Sequence, residues 1–167
     1  MKDNIQNWTS SPTAKSPINP ASTCFTQFEN TVHIDLINLV KEALTHAHCS
    51  DRLTEELDPH APIELHFGSS LMMRVAKTED DSAVQILARL SDQPGVPGSC
   101  SGIDVIEALA EPAPWASHGC ISLLDVDGLL HLQAIVAPAL VRDGEGFSSA
   151  LAAFYDRLLV IHQALWK

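Results

Sequence analysis

The stretch Leu123-Leu124-Asp125-Val126-Asp127-Gly128-Leu129-Leu130-His131-Leu132 sets the fold class. Asp-Gly is what a two-residue hairpin turn requires, because both central residues of a type I′ turn need positive φ. The flanking runs are apolar and of strand length, which predicts a strand over about 120–126 and a hairpin partner over about 129–136.

Working back from the hairpin, Ile63, Leu65 and Phe67 alternate with Glu64 and His66, a period of two that turns the apolar three to one face of a sheet. Leu71, Met73 and Val75 alternate with Met72, Arg74 and Ala76. Val84, Ile86, Ala88 and Leu90 alternate with Gln85, Leu87 and Arg89. Gly68-Ser69 and Glu79-Asp80-Asp81-Ser82 provide the links, so these three strands form an antiparallel meander.

Helical spacing brackets and interrupts the strands. After the suitable caps Asn30 and Thr31, Val32, Leu36, Leu39, Val40, Ala43, Leu44 and Ala47 trace one face of a helix over about 30–49. Ile103, Ile106 and Leu109 mark a short helix over about 103–111 that Pro112 and Pro114 stop, after a Pro/Gly loop at 91–102. Phe147, Leu151, Phe154, Leu158, Ile161 and Leu165 mark a closing helix over about 146–166. The predicted architecture is α+β, an antiparallel five-stranded sheet with three helices in the order α-βββ-α-ββ-α.

The 167 residues suffice for one domain, and 46% of them are hydrophobic. Residues 1–28 carry Pro12, Pro17 and Pro20 among Ser, Thr and Asn, a composition that predicts a disordered N-terminal tail before a single domain over 29–167. No apolar run approaches the roughly 20 residues of a bilayer span, and Met1-Lys2-Asp3-Asn4 leads into no signal-peptide pattern. A soluble cytoplasmic protein is expected. The cysteines Cys24, Cys49, Cys100 and Cys120 have no short paired spacing, as fits a reducing compartment.

The formal charge is −11, and residues 30–167 carry all of the excess, with 8 basic against 19 acidic side chains. Binding to nucleic acid or to anionic membranes needs the opposite balance, so neither is expected. Nor does a motif for catalysis emerge. Gly68-Ser69-Ser70-Leu71 fails the nucleophile-elbow pattern, and Gly95, Gly98 and Gly102 are spaced for no phosphate-binding loop. Glu79-Asp80-Asp81 reads as a solvated turn, because a calcium loop alternates its ligands around a central Gly. His46 and His48 diverge by about 200° on a helix, which is poor geometry for a shared metal. No enzyme activity, cofactor or metal is expected.

The unusual feature is a surplus of apolar side chains. If Leu71, Met73 and Val75 face the helices, Met72 points away, beside Leu87. Leu130, Leu132, Ala134 and Val136 share one face of the hairpin, and Leu129 and Ile135 share the other with His131 and Gln133. The preceding strand divides Ile121 and Leu123 from Leu124 and Val126. A sheet with helices on one side only leaves such residues wet unless loops, the tail or a partner covers them.

In element order, size and acidity the chain resembles the class I type III secretion chaperones. The resemblance runs over residues 30–167, through Ile34-Asp35-Leu36-Ile37-Asn38-Leu39-Val40, the strands from Ile63 to Leu90, the hairpin quoted above, and the last helix with Phe154 and Trp166. It implies a non-catalytic homodimer that binds the N-terminal segments of secreted effector proteins, keeps them export-competent and passes them to the secretion apparatus and its ATPase. Carried over by position, Ile103, Ile106 and Leu109 become dimer contacts, and Met72, Leu87, Ile121, Leu123, Leu129 and Ile135 become client contacts. The Pro/Ser-rich tail departs from the common pattern and points to the broad-specificity chaperones of plant pathogens. The alternative is a small dimeric α+β regulatory or adaptor domain unrelated to secretion.

Overall fold

Asp127 and Gly128 both take left-handed backbone, with φ of 54° and 81°, and Gly128 N donates to Asp125 Oδ1 at 2.8 Å. The expected hairpin forms around them in the structure, a computed structural model that describes residues 34–49, 58, 61–67, 71–90 and 102–166. The expected tail at 1–28, the proposed caps Asn30 and Thr31, and most of the Pro/Gly loop lie outside the described residues.

The described elements are α1 (Leu36–His46), β1 (Ile63–Phe67), β2 (Leu71–Lys77), β3 (Val84–Arg89), α2 (Gly102–Ala110), β4 (Ser122–Val126), β5 (Leu129–Ile135) and α3 (Gly144–Leu165). This is the α-βββ-α-ββ-α order read from the sequence. All five strands join one antiparallel sheet in the order β1-β2-β3-β5-β4. The hairpin therefore inserts with β5 against β3, leaving β1 and β4 as the two edges.

Register fixes the faces. Val75 pairs with Ile86, Ile86 with Ala134, Ala88 with Leu132 and Leu132 with Leu123, so one face runs apolar from β1 to β4. Its buried members share a core with Leu36, Leu39, Val40 and Ala43 of α1, Val105 and Ala108 of α2, and Phe147, Phe154, Leu158 and Ile161 of α3. Removing such side chains from water is the main stabilising force of the domain. The helical stripe of α3 was legible in full, since Phe147, Leu151, Phe154, Leu158, Ile161 and Leu165 are all buried.

Two helix starts differ from the sequence expectation. Asp35 caps α1, accepting Asn38 N at 3.1 Å. Asp143 caps α3 by accepting Gly146 N at 2.7 Å, so the helix begins within the expected loop. Gly144 belongs in that first turn because α1 presses on it. A Cβ there would stand 2.3 Å from Glu42 Cβ and 2.8 Å from Glu42 C.

The connection between α2 and β4 is tied to the sheet. Ala116 bridges Val136, Ser117 N donates to Ile135 O at 2.7 Å, and Ala137 N donates to Trp115 O at 2.9 Å. Trp115 meets Phe154 edge to face with ring centres 5.9 Å apart, which locks the connection onto α3.

Candidate partner-binding surfaces

The sheet face turned away from the core carries Glu64 and His66 on β1, Met72, Arg74 and Ala76 on β2, and Gln85, Leu87 and Arg89 on β3. It continues with Leu129, His131, Gln133 and Ile135 on β5 and Ser122, Leu124 and Val126 on β4. None of these residues is buried. Among the described residues, no helix packs its buried face there, because the helices share one core with the opposite face.

This open face has two halves of different chemistry. On β1 and β2, Arg74 Nη2 lies 2.8 Å from Glu64 Oε1, and His66 Nε2 lies 3.8 Å from Glu64 Oε2. Both pairs are solvent-exposed and add little stability, but they keep this half polar. Toward β4, Leu87, Leu124, Val126, Leu129 and Ile135 give an apolar half, with Val126 paired to Leu129 across the hairpin. Gln133 Nε2 donates to Gln85 Oε1 at 3.0 Å across β5 and β3, so a polar pair sits beside Leu87 and Ile135. His131 is oriented by a 3.0 Å contact between its Nδ1 and Leu129 O.

Of the six residues expected to touch a client, Leu87, Leu129 and Ile135 fall together on the apolar half. Met72 lies on the same face but in the polar half, paired with His66. Ile121 and Leu123 do not belong to this face. Ile121 is only 6% exposed within the core, and Leu123 pairs with Leu132 on the helix side. Leu124 and Val126 take their place. Period-two alternation yields two apolar sets in this strand, and only the register with β5 decides which set turns inward.

The second apolar surface is on α2. Ile103 and Ile106 are 71% and 66% exposed, whereas Leu109, grouped with them from the sequence, packs against the core. Val160 of α3 is 52% exposed beside the shallow hollow between the two helices, which Asp104, Glu107, Ala108, Glu111, Gln163 and Ala164 also line. Below it, Arg157 is 9% exposed. Its Nη1 donates to Ala108 O and, at 3.1 Å, to Glu111 O, while Nη2 lies 3.0 Å from Glu111 Oε2. One guanidinium thus caps the C-terminal end of α2, where carbonyls are left without helical partners.

Among the described residues no group of three or more His, Cys, Asp or Glu side chains could hold a metal ion, and no helix is long and apolar enough to cross a membrane. Cys49 and Cys120 are exposed thiols. His46 and His48, already divergent by spacing, lie at the C-terminal end of α1, which closes through left-handed His48 (φ 57°) with Cys49 N donating to Leu44 O at 2.7 Å.

These features define an α+β domain with helices on one side of a five-stranded sheet and, on the other, apolar side chains that are half-buried or exposed, without a described cleft of converging titratable groups. The chain belongs to the family of the surface presentation of antigens protein SpaK. It is 30% identical to SpaK of Salmonella typhimurium over 135 residues, which cover 81% of this chain and 98% of that protein. SpaK of Salmonella typhi matches to the same extent. No family model matches the chain. Among solved structures, a chain of the heterodimeric complex ExoU–SpcU from the type III secretion system of Pseudomonas aeruginosa aligns with a TM-score of 0.40 and 23% identity, covering 63% of this chain and 79% of that one.

Proposed function

We propose that this protein is a non-catalytic type III secretion chaperone that binds an N-terminal segment of an effector, keeps it export-competent and delivers it to the secretion apparatus. The observation that carries this reading is the apolar half of the open sheet face, Leu87, Leu124, Val126, Leu129 and Ile135, next to the edge strand β4. An extended guest can hydrogen-bond to an unpaired strand edge while alternate side chains rest on apolar ground. Backbone pairing asks little of the guest's sequence, which supports service to more than one client. The family relation to SpaK, spanning nearly all of that protein, agrees in size and extent.

The experiment is co-purification with the N-terminal segment of an effector encoded beside this gene. Retention of that segment, and failure to retain the effector's remaining portion, is the expected result. Failure to retain any effector segment, together with retention of a nucleotide or metabolite, overturns the reading.

A further inference from the structure

We infer that the hollow where the β2–β3 turn meets the start of α1 is a binding site for a small zwitterion, an α-amino acid with an apolar side chain. This inference does not rest on the chaperone reading.

The turn holds its groups in fixed places. Thr78 N donates to Ala83 O at 2.9 Å, Ala83 N to Thr78 Oγ1 at 3.0 Å, and Asp81 N to Thr78 O at 2.9 Å. Asp81 takes left-handed backbone, with φ of 56°, a conformation that Asp adopts more readily than most residues. The two aspartates of the turn then differ in what they do. Asp80 accepts the hydroxyls of Thr78 and Ser82 and the amide of Ser82, so its charge is engaged within the turn. Asp81 lines the hollow instead, together with Lys77 from the end of β2 and Gln85 of β3.

Among the described residues, neither the Lys77 ammonium nor the Asp81 carboxylate has a hydrogen bond or an ion pair, with each other or with any further group. Gln85 accepts from Gln133 through its oxygen, and its Nε2 donates to no described acceptor. One cation, one anion and one amide donor thus line a single hollow of about 300 Å³.

Charge decides what fits there. A metal ion would meet a lone carboxylate and an ammonium that repels it. A phosphate would meet a lone ammonium, with Asp81 and a net charge of −11 opposing it. A ligand carrying both charges a few ångströms apart meets neither penalty, because its carboxylate pairs with Lys77 and Gln85 and its ammonium with Asp81. The apolar part of the lining, Leu36, Ala61, Pro62 and Ala76, accommodates a side chain without polar groups. A volume of about 300 Å³ is at the small end of ligand sites, which matches one amino acid and not an extended guest strand.

The test is an NMR titration of the backbone amides of the full chain with L-leucine, with N-acetyl-leucine, which lacks the ammonium, and with leucinamide, which lacks the carboxylate. Leucine is expected to shift Lys77, Thr78, Asp81 and Gln85 with a Kd of about 1 mM, and both analogues to bind at least about threefold more weakly. The analogues stand for the last and first residues of a polypeptide. Equal binding by either would make a chain terminus the ligand and overturn the inference, as would the absence of any saturable shift with leucine. Lys77→Gln and Asp81→Asn should each weaken leucine binding by about threefold or more, whereas Glu79→Gln, which removes a charge from the same turn outside the hollow, should change it by less than about 1.5-fold. Equal weakening by Glu79→Gln would show a response to net charge alone and would also overturn it. The analogue comparison uses the parent chain, so it decides the matter even where a substitution unfolds the turn.

Discussion

Arg157 of α3 holds the end of α2 through two main-chain oxygens, those of Ala108 and Glu111, and places Nη2 3.0 Å from Glu111 Oε2. The guanidinium is buried while the Glu111 side chain is largely exposed, so the carbonyl bonds matter more than the ion pair. Arg157→Ala is expected to cost about 2–3 kcal/mol by leaving buried carbonyls without donors, and Glu111→Gln less than about 1 kcal/mol. Urea unfolding of both variants checks the ranking. Equal losses would show that the ion pair, not the cap, joins the helices.

The close approach of α1 and α3 makes a second prediction. At Gly144 a methyl group meets Glu42 Cβ and main chain, and the neighbouring helix must shift. Gly144→Ala should therefore destabilise by about 1–3 kcal/mol despite alanine's better helix propensity. At Gly146 the nearest atoms are Asp143 Oδ1 at 3.2 Å and Leu140 Cα and O at 3.3 Å, contacts that small adjustments can relieve. Gly146→Ala should stay within about 1 kcal/mol of the parent, because crowding and propensity oppose each other. Thermal unfolding distinguishes the two sites.

Face assignment on β4 and its approach can be tested by polar substitution. Ile121→Ser strips a core residue and should destabilise by about 2 kcal/mol or more, whereas Leu124→Ser on the open face should change stability by under about 1 kcal/mol. Leu129→Glu should leave circular dichroism intact and weaken effector binding. If Leu124→Ser unfolds the protein, the open face is part of a covered core.

Acid response at the β2–β3 turn follows from hydrogen bonding. The Thr78 hydroxyl, 2.6 Å from Asp80 Oδ1, and then the Ser82 hydroxyl and amide stabilise the Asp80 carboxylate and lower its pKa to about 2. Because the folded value lies below the ordinary 3.8, the contribution of these bonds is fully present above that pH and is lost as pH falls through about 2. An NMR titration of the side-chain carboxyl should show this midpoint in the parent and a return toward the ordinary value in Thr78→Val.

Much of this fold was legible because separate signals agreed. The Asp127-Gly128 turn specified the hairpin, strict alternation specified β1 to β3, and one apolar stripe specified α3. The start of α3 was obscured because glycines at 144 and 146 read as loop, although the first is demanded by contact with α1, a partner distant in sequence. Strand order and the inward side of β4 were not legible for the same reason. Both sets of alternating residues there are apolar, and the choice between Leu123 and Leu124 is made by pairing with Leu132 and His131. On α2, Ile103 and Ile106, carried over from the family resemblance as dimer contacts, stand exposed. Leu109 was misgrouped because spacing of three drifts round a helix of 3.6 residues per turn.

Hydrogen exchange on the protein with and without an effector's N-terminal segment most directly tests whether a guest lies on the open sheet. Slowed exchange of the β4 amides and neighbouring parts of β5, with the α1 and α3 amides unchanged, is the predicted result. A bound segment that protects only helices, leaving Ser122–Val126 as exchangeable as before, would contradict it.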